Sequence, residues 1–253
     1  MKTLFVGQNC IHLKSIDSTN SYASELLRQI KPIEGTLIYT FNQLNGRGQR
    51  GNSWECEANQ NIALSIIVNP FFLHADKQFI ITKIVSLAIA DLMSEVLRDT
   101  KDSLKVKIKW PNDIYVGDKK IAGVLIENTL RDTNLQHSII GIGVNINQKE
   151  FISTKKAISL QQLLKEEKEL MPIVEKLCEA IEKRYLQLRT NKLAEINENY
   201  LNKLYQFEEW KNYSCNEQLF EGKILGVTET GKLEIQLRSN EIRRFDLKEI
   251  KFI

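Results

Sequence analysis

Residues 109–127 read KWPNDIYVGDKKIAGVLIE. Two short apolar runs, "IYV" and "KKIAGVLIE", flank the pair Gly117-Asp118, and a two-residue glycine turn between apolar runs predicts a β-hairpin. Upstream, "KVKIKW" alternates lysine with Val106, Ile108 and Trp110, the period of a half-exposed strand that Pro-Asn-Asp then breaks. The stretch therefore commits the middle of the chain to antiparallel sheet. It also gathers Lys109, Trp110, Asn112 and Asp113 at one strand end, with Lys120 just before a close-packing Gly123 on the return arm. Cation and carboxylate meet at one end of a sheet, as they would in an ordinary surface ion pair on a hairpin.

Working outward, "SIDSTNSYASELLRQI" opens with the capping residues Asp17, Ser18 and Thr19 and places Tyr22, Ala23, Leu26, Leu27 and Ile30 on one face, predicting a helix from the Ser-Thr-Asn cluster. "TLIYTF" follows Pro32 and Gly35 as a short strand, and "NIALSIIV" puts Ile62, Leu64, Ile66 and Val68 on one face of another. Asp76 to Arg98 reads as a long apolar helix, and "HSIIGIGVNIN" as one more strand with glycines at 141 and 143. From Ser159 to about Tyr205 the pattern is helical and charged, with Pro172 placed to start a new helix. The tail changes again. "FEGKILGVTETGKLEI" and "RRFDLKEIKFI" are short alternating runs cut by Gly222, Gly226 and Gly231, an all-β module from about Asn212 onward.

Between the strands "TLIYTF" and "NIALSIIV" lies "NGRGQRGNSW", Asn45 to Trp54, through which neither helical nor strand periodicity can be drawn. Closely spaced glycines let backbone N–H groups approach a ligand, and arginine offers forked, permanently charged donors for carboxylate and phosphate. The segment suits closure over an anion and equally suits a mobile basic surface loop. It lacks the Gly-Lys-Ser/Thr ending of a Walker loop and opens no helix, so neither phosphate fingerprint fits.

Composition narrows the classes. The chain has 253 residues, 42% hydrophobic and 26% charged, ordinary for a globular protein with a sizeable core. A net charge of +3 is too near balance for a nucleic-acid footprint. Cys10, Cys56, Cys178 and Cys215 are scattered, as are His12, His74 and His137, which argues against a disulfide framework or a zinc site. With no signal-like N-terminus, and Lys83 and Asp91 interrupting the most apolar helix, the expected place is the cytoplasm, with no membrane partner.

Four motifs in order carry a resemblance: "STN" at Ser18–Asn20, "GRGQRGNSW" at Gly46–Trp54, "KWPND" with "KKIAG" across Lys109–Gly123, and "GIGVNIN" at Gly141–Asn147. From about Ser15 to the C-terminus the chain resembles the biotin protein ligases. The related lipoate ligases, and the octanoyl transferases of the same fold, are the nearest alternative. Lipoate ligases typically carry a double arginine before a run of glycines, and this chain has none.

The resemblance implies an α+β fold: a mixed β-sheet flanked by helices, of the class II synthetase-like biotin/lipoate ligase type, with a small C-terminal SH3-like β-barrel. The implied division is a catalytic domain of residues 1–205 and a barrel of 206–253. Its substrates would be ATP and biotin with Mg2+, and its partner a biotin carboxyl carrier protein domain of a biotin-dependent carboxylase; a homodimer is left open. About a dozen residues precede the Ser-Thr-Asn helix, too few for the helix-turn-helix of bifunctional members, so no operator-type DNA binding is expected.

Carried over residue by residue, Lys120 would touch the biotin carboxyl and the α-phosphate, and Arg47 the same mixed anhydride. Asp113 would orient the carrier lysine or help to position magnesium. Ser18, Thr19 and Gln43 would hydrogen-bond the biotin head group, with Asn20 beside them. Gly46, Gly48, Gln49, Arg50, Trp54 and Trp110 would enclose the adenylate, together with Asn112, Gly123, Gly141, Gly143 and Asn145. At Gln49 the chain departs from the family's commoner "GRGRRG", placing a neutral amide where a charge is usual.

Overall fold

The computed structural model describes residues 1–98, 104–152, 154 and 156–253; the side chain of Arg50 lies outside the described residues. The elements in chain order are β1 (Cys10–His12), α1 (Thr19–Gln29), β2 (Thr36–Thr40), β3 (Gly46–Arg47), β4 (Ser53–Trp54), β5 (Asn61–Val68) and α2 (Phe79–Val96). Strands β6 (Val106–Lys109), β7 (Asp113–Val116), β8 (Lys119–Arg131) and β9 (Asn134–Asn145) follow, then helices α3 (Leu160–Leu164), α4 (Leu170–Arg189) and α5 (Leu193–Lys203). The chain ends in β10 (Trp210–Cys215), β11 (Gln218–Val227), β12 (Leu233–Leu237), β13 (Ile242–Phe245) and β14 (Lys251–Phe252).

A seven-stranded mixed sheet in the order β1-β2-β5-β9-β8-β7-β6 forms the body. Only β1 and β2 run parallel; every other neighbouring pair is antiparallel. One face is paved by Ile62, Leu64 and Ile66 of β5, Ile140, Ile142 and Val144 of β9, and Val124 of β8, all buried in the main core. Against this face lies α2, whose apolar residues go all round the helix because α4 covers its other side with Val174, Leu177, Ile181 and Tyr185. On the opposite face α1 packs Ala23 against Ile38, Ile67 and Ile139. Ser18 caps that helix by accepting from Ser21 N–H at 3.4 Å, as the Ser-Thr-Asn cluster leads one to expect. No described helix is long and apolar enough to cross a membrane.

Several sequence readings need correction. The stretch Asn45–Trp54 is not without regular structure: β3 and β4 pair Gly46 with Trp54 and Arg47 with Ser53, and a 3-10 turn at Gln49–Gly51 joins them. Strands of two residues leave no period to detect. Residues 76–98 are not one helix, since a 3-10 turn at Ala75–Lys77 precedes α2. The C-terminal strands form a five-stranded antiparallel sheet ordered β13-β12-β11-β10-β14. Among the described residues no pairing joins β13 to β14, so it is described as a sheet and not as a barrel. This sheet shares the body's core, since Ile224, Leu233 and Phe245 bury with Tyr200 and Leu204. The indole N–H of Trp110 also donates to the Gly231 carbonyl at 2.9 Å.

One carboxylate accepts three consecutive N–H groups of the N-terminal turn. Glu182 of α4, buried, accepts the backbone N–H groups of Leu4, Phe5 and Val6 at 2.7, 2.8 and 3.0 Å. Charge-assisted bonds of this kind contribute about 1.5–3 kcal/mol each at most, and a neutral amide supplies one oxygen acceptor instead of two. Glu182→Gln is expected to destabilise the fold by about 1–3 kcal/mol, read as a lower midpoint in urea at unchanged slope. An unchanged midpoint would show that these bonds do not hold the N-terminal turn.

Candidate active site

Cross-strand register produces the site. Ala63 of β5 stands opposite Gly143 of β9, Gly143 opposite Gly123 of β8, Gly123 opposite Asp113 of β7, and Asp113 opposite Lys109 of β6. One step along, Ser65 faces Gly141. On the face away from α2 the centre of the sheet is thus nearly bare of side chains. Above it lies a cavity of about 490 Å³, within the usual size of small-molecule sites.

Two groups stand on the bare patch at van der Waals range, and this explains the glycines. A Cβ on Gly143 would lie 2.3 Å from Trp54 Cε2, and one on Gly141 would lie 2.1 Å from Asn20 Oδ1. Asn20 is held from several sides: Ser65 Oγ lies 2.6 Å from its Oδ1, and its Nδ2 donates to the Glu127 carboxylate at 2.7 Å and to the Leu125 carbonyl at 3.2 Å. Thr19 joins the same cluster through Ser65 Oγ at 2.8 Å. Gln43 Oε1 accepts from the Thr19 N–H at 2.9 Å. The start of α1 therefore presents a fixed polar wall.

The β3–β4 ribbon arches over that wall. Arg47 donates to both Glu127 oxygens, at 2.8 and 3.1 Å, and Trp54 beyond it lies flat on the glycines. Gln49, Gly48, Asn52 and Ser53 face the cavity. Trp54 Nε1 is buried with no hydrogen-bond partner among the described residues.

Cations line the far side. Lys120 Nζ sits 2.6 Å from Asp113 Oδ1 and 5.3 Å from the Trp54 ring centroid. Its backbone is pinned to a second segment: Lys120 N–H donates to the Lys156 carbonyl at 2.7 Å, and Ile158 N–H donates to the Lys120 carbonyl at 2.9 Å. Lys109 Nζ lies 4.9 Å from the ring centroids of both Tyr115 and Phe252. Burial pushes the Lys109 ammonium below the usual lysine range; Asp113 opposes that shift, and Lys156 and Lys120 add to it. One carboxylate among several cations makes this end of the cavity receptive to anions.

Of the residues singled out from sequence, Ser18, Thr19, Asn20, Gln43, Arg47, Gly48, Gln49, Trp54, Trp110, Asn112, Asp113, Lys120, Gly123, Gly141 and Gly143 all line this one cavity. Gly46 and Asn145 do not. A Cβ on Gly46 would lie 2.4 Å from the Trp54 carbonyl oxygen, so it allows the ribbon to close on itself. Asn145 donates to the Ile158 carbonyl at 3.1 Å and braces the Lys120 segment from behind. Arg50 lies outside the described side chains. Asn112 donates to the Val124 carbonyl and braces β8. Lys109, gathered from sequence at the same strand end but given no role there, also lines the cavity; sequence reasoning missed Ser65, Glu127 and the chain end Leu247–Phe252, part of which closes the cavity from the C-terminal sheet. Ser65 and Glu127 do carry a signal: each is a polar residue inside an apolar strand, on the face shared with the glycines.

Comparison with known proteins places these features in company. The family model described as "Biotin/lipoate A/B protein ligase family" matches residues 12–145. The chain is 28% identical over 250 residues to the bifunctional ligase/repressor BirA of Bacillus subtilis, covering 93% of this chain and 72% of that protein. It is 30% identical over 138 residues to the biotin–[acetyl-CoA-carboxylase] ligase of Paracoccus denitrificans, covering 53% of each. Among solved structures it is similar to the biotin protein ligase from Aquifex aeolicus in complex with biotin and ATP, with a TM-score of 0.77, 25% identity, and coverage of 96% of this chain and 98% of that one.

The Trp54 contact can be tested without any ligand. Gly143→Ala forces the indole off the sheet, an overpacking expected to cost about 1–3 kcal/mol and to change the protein's tryptophan emission. The same substitution in a Trp54→Phe background should leave the emission of Trp110 and Trp210 unmoved. A shift of equal size in both backgrounds would place the disturbance elsewhere.

Proposed function

The chain belongs to the biotin/lipoate A/B protein ligase family, and we propose that within it the protein is an ATP-dependent biotin protein ligase. It forms biotinyl-5′-AMP and passes biotin to a specific lysine of a biotin carboxyl carrier protein. The observation that carries this reading is the Lys120 ammonium, 2.6 Å from Asp113, on the rim of a cavity floored by Gly123 and Gly143 and roofed by an arginine-bearing ribbon. The relatives whose names specify biotin, from Paracoccus denitrificans and Aquifex aeolicus, support biotin over lipoate. The reaction belongs in the cytoplasm, and nucleic acid has no part in it.

In the first step a biotin carboxylate oxygen attacks the α-phosphorus of ATP, the bond to the bridging oxygen breaks, and pyrophosphate leaves. Two anions must meet, and charge builds on the phosphoryl oxygens as they do. Lys120 and Arg47 supply fixed cations there, in a site whose glycine floor lets the reactants lie close to backbone. Asp113 keeps the Lys120 ammonium in place before the anions arrive. Ser18, Thr19, Asn20 and Gln43 hold the head group of biotin by a hydrogen-bond network that is already formed, so little ordering is left to binding. In the second step the carrier's lysine amine attacks the carbonyl carbon of the anhydride, an amide forms, and AMP leaves. Asp113 is the carboxylate at hand to orient that amine and take up its proton.

Magnesium would enter with the nucleotide. Among the described residues no cluster of three acidic, histidine or cysteine side chains could hold a metal alone. A single carboxylate, Asp113, suits an ion that takes most of its ligands from phosphate and water. Bound there, it would neutralise phosphate charge.

Lys120→Ala removes the cation nearest the reacting anhydride from a strand held by its backbone, so the fold should persist. Biotin-dependent exchange of radiolabelled pyrophosphate into ATP is expected to fall by roughly 10²–10³-fold, and mass spectrometry of a carrier domain should find no biotin adduct. Exchange near the wild-type rate would remove Lys120 from the chemistry. Gln49 faces the cavity from the 3-10 turn and brings no charge. Gln49→Arg adds one charge-assisted contact, and the adenylate should leave about tenfold more slowly if some 1.4 kcal/mol is realised. Equal release rates from wild type and mutant would mean that this position does not clamp the adenylate.

A further inference from the structure

A second cavity, of about 400 Å³, opens on the opposite side of α2 from the sheet, between α4, α5 and the turn joining β11 to β12. The catalytic reading makes no use of it. Its wall contains Lys83, which is 6% exposed and projects from the apolar first half of α2. The ammonium donates one hydrogen bond, to Asn197 Oδ1 at 2.8 Å, and faces the rings of Tyr200 and Phe79 at 5.4 and 5.8 Å. Among the described residues no carboxylate forms an ion pair with it. Glu229, on the β11–β12 turn, attracts it only from a distance, and burial pushes its pKa down to about 8.

An ammonium has three donors, and a buried charge without a counter-ion is costly. The Asn197 bond uses one donor and the two rings stand beside the ammonium, so a ligand carboxylate in the cavity would supply the counter-charge that Lys83 lacks among the described residues. The other walls narrow the choice of ligand: Phe72, Leu73, Ile80 and Leu188 are apolar. Arg189, at the rim, is drawn toward Glu34 at 4.0 Å, and Glu229 shares the wall. Lys77 and His74 also belong to the lining but are exposed to solvent like Arg189, so among the described residues Lys83 is the one buried cation of the wall, and a single negative charge with an apolar body matches it better than a fully hydrated polyanion. Apolar walls favour a ligand with a hydrocarbon body.

We propose that this cavity is a binding site for a small amphipathic monocarboxylate, with its carboxylate on the Lys83 ammonium and its apolar body against Ile80, Leu73 and Leu188. The volume lies within the range of small-molecule sites. The turn that brings Glu229 to this cavity also carries Gly231, whose carbonyl holds Trp110 on the wall of the first cavity.

The test is isothermal titration of the whole protein with hexanoate, with hexanol and inorganic phosphate as the neutral and the multiply charged comparison. Hexanoate is expected to bind, and hexanol and phosphate at least about tenfold more weakly, the size of one charge-assisted hydrogen bond. Lys83→Met should weaken hexanoate by a similar factor. Leu193→Trp, which fills the cavity from α5 and keeps the lysine, should do the same, so the test stands even where Lys83→Met fails to fold. Hexanoate that binds Leu193→Trp as well as wild type would be sitting in another site and would overturn the proposal. So would phosphate or hexanol binding as tightly as hexanoate, or no binding of hexanoate below about 10 mM.

Discussion

The structure turns on a register. Gly143 must lie opposite Gly123 and Ala63, because only there do three adjacent strands together leave a hollow deep enough for a ligand. The same strands carry Ile142, Val144, Val124, Ile62 and Leu64 at alternate positions, which pack against α2. A slip of one residue would exchange the two faces, turning branched side chains into the cavity and glycines into the core. The hydrophobic effect thus sets the candidate active site indirectly. Burial of the isoleucine face fixes the register, and the register places the empty face.

From that floor the charged groups follow by short covalent distances. Asp113 is the cross-strand neighbour of Gly123, and Lys120 lies three residues before Gly123 on the same strand. A β-bulge between Ile114 and Tyr115 shifts the register there, so that Lys120 pairs with Tyr115 while its ammonium still reaches Asp113. Lys109 completes the row on β6. Their mutual repulsion is tolerated because Asp113 lies among them and solvent reaches both partners of the ion pair, with side chains 29% and 26% exposed. A bound polyanion would relieve that repulsion, so the row of cations is suited to one.

How much of this could be read in the chain depends on how local each signal is. The β7–β8 hairpin was legible because Gly117-Asp118 marks its turn, and α1 because Ser18 is its cap. Lys120, Arg47 and Asn20 were legible as a set through ordered motifs, although nothing in their spacing says that they meet. Strand β1 is three residues long and the ribbon strands two, too short for a period to register. The approach of Leu247–Phe252 to the cavity joins segments more than a hundred residues apart in sequence from the motifs they cover, so no local pattern encodes it. Lys83 read only as an interruption of an apolar helix. Its cavity exists because α4, α5 and the β11–β12 turn converge on it, which is a tertiary fact.

The roof is the least secured part of the site, and its energetics say why. Arg47–Glu127 is an ion pair with side chains 44% and 38% exposed, and pairs so open to solvent contribute about 0–1 kcal/mol. The ribbon itself has only two residue pairs. What holds it more firmly is its far end: Trp54 rests on the glycine floor, and beyond it Gln148 links Glu55 to Asn61, donating to Glu55 at 2.9 Å and accepting from Asn61. The near end, from Gly46 to Gly51, carries the arginine and the glycines and has least to keep it closed. An anion that draws Arg47 inward has only the weak exposed pair with Glu127 to displace. Under the proposed function, most of that attraction would go into closing the roof and excluding water, the condition under which a fixed cation stabilises a developing charge most.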